Sequence, residues 1–147
     1  MQIREVKERD RLDVIEMMRT FYATDAVSTN GTFEIFTADF DACISDSPYL
    51  SGYVFDVDGE VAGYAMTAHS FSTEFGKPCV WIEDLYVKEK YRRSGIGNEF
   101  FKFIEEKYPD SVLRLEVEME NETALRLYKR RGFSFLPYGE MIKGEKD

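Results

Sequence analysis

The segment that most limits what this chain can fold into is residues 81–97, Trp-Ile-Glu-Asp-Leu-Tyr-Val-Lys-Glu-Lys-Tyr-Arg-Arg-Ser-Gly-Ile-Gly. It reads as a strand carrying two carboxylates, Glu83 and Asp84, that runs into a basic turn with Gly95 and Gly97 and then opens a helix. Amide groups at a helix start have no carbonyl partner a turn back and point outward. With glycines allowing close approach they can cradle a phosphate chain, and Arg92 and Arg93 add charge there. The segment therefore predicts a phosphorylated cofactor held beside an acid-base group.

A length of 147 residues suits one domain, residues 1–147, and 44% hydrophobic content with 12 Phe and 9 Tyr is ample for one core. No apolar run approaches the ~18 residues of a membrane span, and Arg4 and Glu5 fall where a secretory leader would be apolar. A cytoplasmic protein with no membrane partner is expected. Cys43 and Cys79 fit no metal spacing and read as buried free thiols, and no metal site is expected. The net charge of -9 argues against nucleic acid as a partner. Positive charge gathers only at Lys88, Lys90, Arg92 and Arg93 and again at Lys129, Arg130 and Arg131, which suits a small anionic cofactor. Taken singly, each of these cations reads as solvated surface.

Periodicity gives the order of elements. Residues 2–6 read as a strand, and Asp10 as the cap of a helix in which Val14, Met18 and Phe21 recur at helical spacing to about Ala23. Residues 37–44 read as a second, shorter helix. Asp58-Gly59 between residues 53–57 and 61–66 is a two-residue hairpin signal. A strand over 79–87, a helix from Ser94 to before Pro109, and a half-buried strand over 112–119 follow. Asn121 caps a last helix through Arg131, Gly132 ends it, and residues 133–135 and 140–143 can form a final hairpin. The expected fold is α+β, a mixed, mostly antiparallel sheet of about seven strands flanked by four helices, in the order β-α-α-β-β-β-α-β-α-β-β.

The glycine turn alone is a weak signal. A dinucleotide fingerprint needs glycine three residues after Gly97, where Phe100 stands, and a Walker loop needs Gly-Lys-Ser/Thr, which is absent. A hydrolase triad lacks its Gly-x-Ser-x-Gly turn, and His69, the only histidine, has no second ligand in sight. Together with Asn121-Glu-Thr-Ala124-Leu-Arg-Leu-Tyr128-Lys-Arg-Arg-Gly132-Phe133, however, the turn resembles the GNAT N-acetyltransferase superfamily over most of the chain. The run Glu83-Asp84-Leu85-Tyr86-Val87, with Gly63-Tyr-Ala-Met66 and residues 70–77 ahead of it, looks like the diamine and thialysine acetyltransferase branch.

That resemblance implies acetyl-CoA as co-substrate and a small cationic amine as acceptor. The backbone of Leu85, Tyr86 and Val87 would meet the pantetheine arm between two splayed strands. Arg92, Arg93, Ser94, Gly95, Ile96, Gly97 and Asn98 would bind the pyrophosphate, and Asn121 and Tyr128 would complete the cofactor site. Many relatives have glycine where Arg93 stands, a departure on the exposed side of the turn. Family members commonly pair, so a homodimer is expected by resemblance.

The chemistry asks for two further groups. An ammonium of pKa near 10.4 is free amine in only about one molecule in 2,500 at pH 7, so a carboxylate must take its proton, directly or through water. Glu83 alternates with Trp81, Leu85 and Val87 on an apolar face, where desolvation would raise its proton affinity toward a working base. Its competing reading is a rim carboxylate paired with a lysine. Asp84 faces the other side; it shares acceptor binding with Glu83 and has a mainly structural role. Asp25, Glu34, Glu116 and Glu118 can add negative field. The departing thiolate needs a proton, and by resemblance the phenol of Tyr128 supplies it; without the motif, Tyr128 reads as core aromatic. A protein N-terminus or lysine, or an aminoglycoside, is the alternative acceptor. A non-catalytic acyl-CoA sensor is the alternative of another class.

Overall fold

The computed structural model describes residues 1–24 and 31–144. In chain order its elements are β1 (Gln2–Glu5), α1 (Arg11–Phe21), α2 (Phe33–Ile44), β2 (Leu50–Val57), β3 (Glu60–Ser72), β4 (Lys77–Val87), α3 (Ile96–Lys107), β5 (Val112–Leu115) and α4 (Glu122–Arg130), with short 3-10 turns at Glu8–Asp10 and Glu89–Tyr91. The strands form one sheet in the order β1-β2-β3-β4-β5, antiparallel throughout except that β5 lies parallel to β4. Among the described residues no helix is long and apolar enough to cross a membrane.

Each sheet face has its own core. On one face Val14, Met17 and Met18 of α1 and Phe36 and Phe40 of α2 pack on Val54, Tyr64, Met66 and Tyr86. On the other, Ile96, Phe100, Phe101 and Ile104 of α3 pack on Tyr53, Phe55, Val80 and Ile82. The β2–β3 turn takes the left-handed backbone that Asp-Gly predicts, with φ of 51° at Asp58 and 85° at Gly59, and Asp56 Oδ1 accepts from the Gly59 amide at 2.8 Å.

Several expectations need correction. Asp10 does not cap α1; its carboxylate accepts from the Lys7 amide at 2.8 Å and from Arg4 at 2.8 and 3.0 Å, tying β1 to the turn before the helix. The second helix starts at Phe33 rather than residue 37, because Thr32 supplies a cap to the Ile35 amide at 3.2 Å. The third opens at Ile96, two residues after Ser94.

The largest correction is in the sheet, which has five strands among the described residues where about seven were expected. β5 stops at Leu115 because β4 offers it no partner beyond Ile82. The expected final hairpin over 133–135 and 140–143 forms no strand among the described residues; residues 134–144 are all exposed and bury too little to hold one. The chain order therefore ends at α4.

A break in the β3–β4 ladder matters most for function. Met66 pairs with Asp84 and Thr67 with Ile82, so Glu83 is an extra residue in a β-bulge. Side chains alternate from Val80 and Ile82 on the α3 face, pass through the bulge, and resume with Leu85 and Val87 on that same face.

Candidate active site

The turn into α3 is shaped by its backbone. Gly95 has φ of 83° and sits just before the helix, and the first intrahelical bond runs from the Glu99 amide to Gly95 O at 3.0 Å. The amides of Ile96, Gly97 and Asn98 ahead of it have no carbonyl a turn back. A Cβ on Gly95 would meet nothing within 4 Å, and Arg92, Arg93, Ser94 and Gly95 are all exposed, so the mouth of this amide cluster is open. Arg93 has φ of 65°, the left-handed region, which costs a non-glycine residue about 1–2 kcal/mol. Gly97 serves packing instead: a Cβ there would stand 2.9 Å from Leu127 Cδ2.

Beside the turn, the β4 edge is unpaired. The Lys88 amide bonds Ala62 O at 2.8 Å, so Tyr86 and Asp84 face β3 with their backbone while Leu85 and Val87 present theirs to the opposite edge. β5 has left that edge after Leu115, which opens a wedge between the two strands. Arg92 Nε occupies the Val87 carbonyl at 2.8 Å, and its guanidinium lies 5.6 Å from the Tyr86 ring centre. Tyr86 turns its backbone to β3 and its ring into the α1–α2 core, so it offers the wedge no backbone group. An acyl-CoA fits these groups: open amides for a diphosphate at one end, and free strand backbone for an amide-bearing arm at the other.

The acidic face lies on the α1–α2 side. Because of the bulge, Glu83 and Asp84 project to the same face rather than to opposite ones. Asp84 is 4% exposed, and its two oxygens accept from the hydroxyls of Tyr22 at 3.0 Å and Tyr64 at 2.7 Å. Burial raises its proton affinity and the two phenols hold it back. Glu83 is exposed at the rim of this face, and its proton affinity is raised by desolvation, then by Asp84, Asp39 and Glu140. Asp39 of α2 is pushed up to about 6, by burial first and by Asp84 second. Sequence reasoning missed Asp39, Tyr22 and Tyr64. The signal for Asp39 was present, since it lies on the helical stripe of Phe36, Phe40 and Cys43.

Tyr128 is half-buried on α4, edge-on to Phe101 at 5.8 Å and Phe133 at 6.0 Å, and burial raises its proton affinity. Its hydroxyl has no hydrogen-bond partner among the described residues, which leaves it available to a ligand. Asn121 caps α4 as expected, Oδ1 accepting from the Ala124 amide at 3.2 Å. Of the other cations, Lys90 pairs with Glu60 at 3.2 Å and Arg131 with Glu105 at 2.8 Å.

Glu34 and Glu116 are exposed and Glu118 is half-buried, while Asp25 lies outside the described residues. His69 accepts or donates to Ser51 at 2.9 Å and Thr67 at 3.3 Å on the α3 face, away from the carboxylates. Both cysteines are free thiols, Cys79 buried and Cys43 half-buried.

Comparison with known proteins gives this geometry its family. Residues 15–133 match the Acetyltransferase (GNAT) family. The chain is 32% identical over 151 residues to the thialysine N-epsilon-acetyltransferase of Bos taurus, covering 94% of this chain and 86% of that protein. It is 29% identical over 96 residues to the spermine/spermidine N(1)-acetyltransferase of Bacillus subtilis, covering 60% and 62% of the two. The crystal structure of a possible acetyltransferase from Clostridium difficile 630 shares the fold, with a TM-score of 0.82 at 24% identity over 99% of this chain and 98% of that one. The chain belongs to the GNAT acetyltransferase family and is an N-acetyltransferase with acetyl-CoA as its co-substrate.

Proposed function

We propose that the protein acetylates a primary amine of a small cationic acceptor, a polyamine, diamine or lysine-like molecule, by direct attack in a ternary complex. The observation that carries this reading is the grouping of Glu83, Asp84 and Asp39 on one face, where among the described residues no lysine or arginine offsets Glu83 or Asp84. A face of this charge attracts ammonium groups and repels anionic acceptors. The similarity to acetyltransferases of thialysine and of spermine and spermidine supports the same class of acceptor.

In this reading Arg93, Ser94, Gly95 and the amides of Ile96, Gly97 and Asn98 hold the diphosphate. The Leu85 backbone and the Val87 amide align the arm, the Val87 carbonyl being held by Arg92. Acetyl-CoA supplies the thioester, whose C–S bond breaks as the amine nitrogen bonds to the acetyl carbon. Glu83 takes the ammonium proton, directly or through a water. Tyr128 gives its hydroxyl proton to the leaving sulfur and regains one from solvent, to which the nitrogen releases its second proton as the amide forms. A homodimer belongs to the same proposal, supported by the exposed apolar side chains of Met119, Phe135, Leu136, Met141 and Ile142.

Thiol release from acetyl-CoA, followed with spermidine, thialysine, lysine, an unblocked peptide and an aminoglycoside, tests the proposal. The highest kcat/KM is expected with spermidine or thialysine. Preference for the peptide or the aminoglycoside would move the acceptor to the alternative class, and release unchanged by every amine would favour a sensor. Glu83→Gln should depress turnover most near neutral pH, where few amines are free; a pH profile superimposable on wild type would remove Glu83 from the role of base.

A further inference from the structure

The β4 bulge and the two tyrosines around Asp84 make a device that the chemistry described so far leaves unused. Asp84 is 4% exposed and Tyr64 is fully buried, so this carboxylate cannot reach a bulky acceptor as Glu83 can. Burial raises its proton affinity overall, and two donors oppose that rise: a hydroxyl from the end of α1 donates to one oxygen and a hydroxyl from β3 to the other. Donors to both oxygens favour the charged form, against the pull of burial. In a regular strand the two side chains would point to opposite faces. The extra residue at Glu83 removes that separation, so a fixed charge lies next to an exposed carboxylate on one face.

We propose that Asp84, clamped by Tyr22 and Tyr64, is a positioning residue whose locked charge keeps the neighbouring Glu83 a base matched to neutral pH. The inference rests on the reading of Glu83 as the base. The carboxylates facing Glu83 all raise its hold on the proton. Asp39 from α2 and Glu140 from the C-terminal segment are carboxylates, and the Tyr22 phenol is itself held protonated by burial and by Asp84. Cys43 of α2 is pushed up to about 12 by burial, then by Asp39 and Asp84. The guanidinium of Arg92, over the Tyr86 ring, is tethered to the Val87 carbonyl. Like charges held close disfavour a second ionisation, so Glu83 keeps its proton to higher pH than a solvated glutamate.

Carbon-13 NMR of protein labelled at the glutamate side-chain carboxyl reads this directly and needs no acceptor. The Glu83 signal is assigned by its loss in Glu83→Gln. In wild type its midpoint should lie above the ordinary glutamate range. In Asp84→Asn it should fall by on the order of one pH unit, with other glutamate signals unmoved. Tyr64→Phe and Tyr22→Phe each delete one hydroxyl and weaken the charged form of Asp84, so each should move the Glu83 midpoint down by a smaller amount. They decide the matter if circular dichroism shows that Asp84→Asn does not fold. A Glu83 midpoint equal to wild type in the folded variants would overturn the inference. Failure of Glu83 as base would appear separately, as a pH-rate profile indifferent to Glu83→Gln with the NMR coupling intact.

Discussion

The Cβ that Gly97 lacks would stand 2.9 Å from Cδ2 of Leu127, so any side chain there would have to push the end of Leu127 aside. Gly97 lies one residue inside the helix that opens at the Gly95 turn, and Leu127 precedes Tyr128. This contact lies between the groups proposed to hold the cofactor and the phenol proposed to protonate its sulfur.

Gly97→Leu should therefore act on catalysis through packing. Overpacking costs about 1–3 kcal/mol, of which better helix propensity returns about 1 kcal/mol. Small misplacements of catalytic groups can cost as much as ~100-fold, so turnover should fall about tenfold or more while the protein stays folded. Leu127→Ala in the same chain makes room and should restore part of the loss. Urea unfolding and steady-state rates of the two single variants and the double variant check this; strictly additive effects would mean that the two residues do not communicate.

Tyr128→Phe should lower turnover by about 100-fold, the lower end of what a positioned acid contributes, and leave CoA affinity within about twofold. Its hydroxyl has no partner among the described residues, so stability should change by less than about 1 kcal/mol. Stopped-flow rates and calorimetric titration with CoA separate the two. Unchanged turnover would return Tyr128 to a purely structural place beside Phe101 and Phe133.

Asp39 should be a site where stability is given up. Its folded proton affinity, at about 6, lies above the unfolded value of about 3.9. A raised carboxylate pKa means that the folded state binds the proton more tightly, so the native state gains stability as pH falls through 6 toward 4 and lacks that gain at pH 7. Asp39→Asn should then stabilise the protein by on the order of 1 kcal/mol at pH 7, discounted for its partial exposure, with the difference shrinking toward zero near pH 4. Denaturant midpoints at the two pH values measure this. An equal effect at both would mean that Asp39 is not strained by its neighbours.

Much of the fold was legible because its signals are local. Asp58-Gly59 demands a left-handed pair, Asn121 offers its oxygen to the amide three residues on, and the spacing of Ile96, Phe100 and Ile104 marks one helix face. The sheet was overcounted because alternation over residues 116–119 and 133–135 shows what could pair, not whether a partner is present. Once β4 and β5 part after Ile82 and Leu115, it is not.

The site was legible in its turn and hidden in its acidic face. A bulge adds one residue without altering composition, so strict alternation put Glu83 beside Leu85 and sent Asp84 to the far side. The observed register returns Asp84 and Glu83 to one face. Tyr22 and Tyr64, 62 and 20 residues from Asp84 in sequence, meet it only through the packing of α1 on β3 and β4. No local pattern carries such a contact.

The central claim is that open amides at the start of α3 receive the coenzyme diphosphate beside the unpaired edge of β4. Nitrogen-15 amide NMR of the whole chain, titrated with CoA, tests it most directly. The largest shifts are expected at Arg93, Ser94, Gly95, Ile96, Gly97 and Asn98, with a second group at Leu85 and Val87. CoA binding that leaves those amides unmoved and shifts others instead would contradict it.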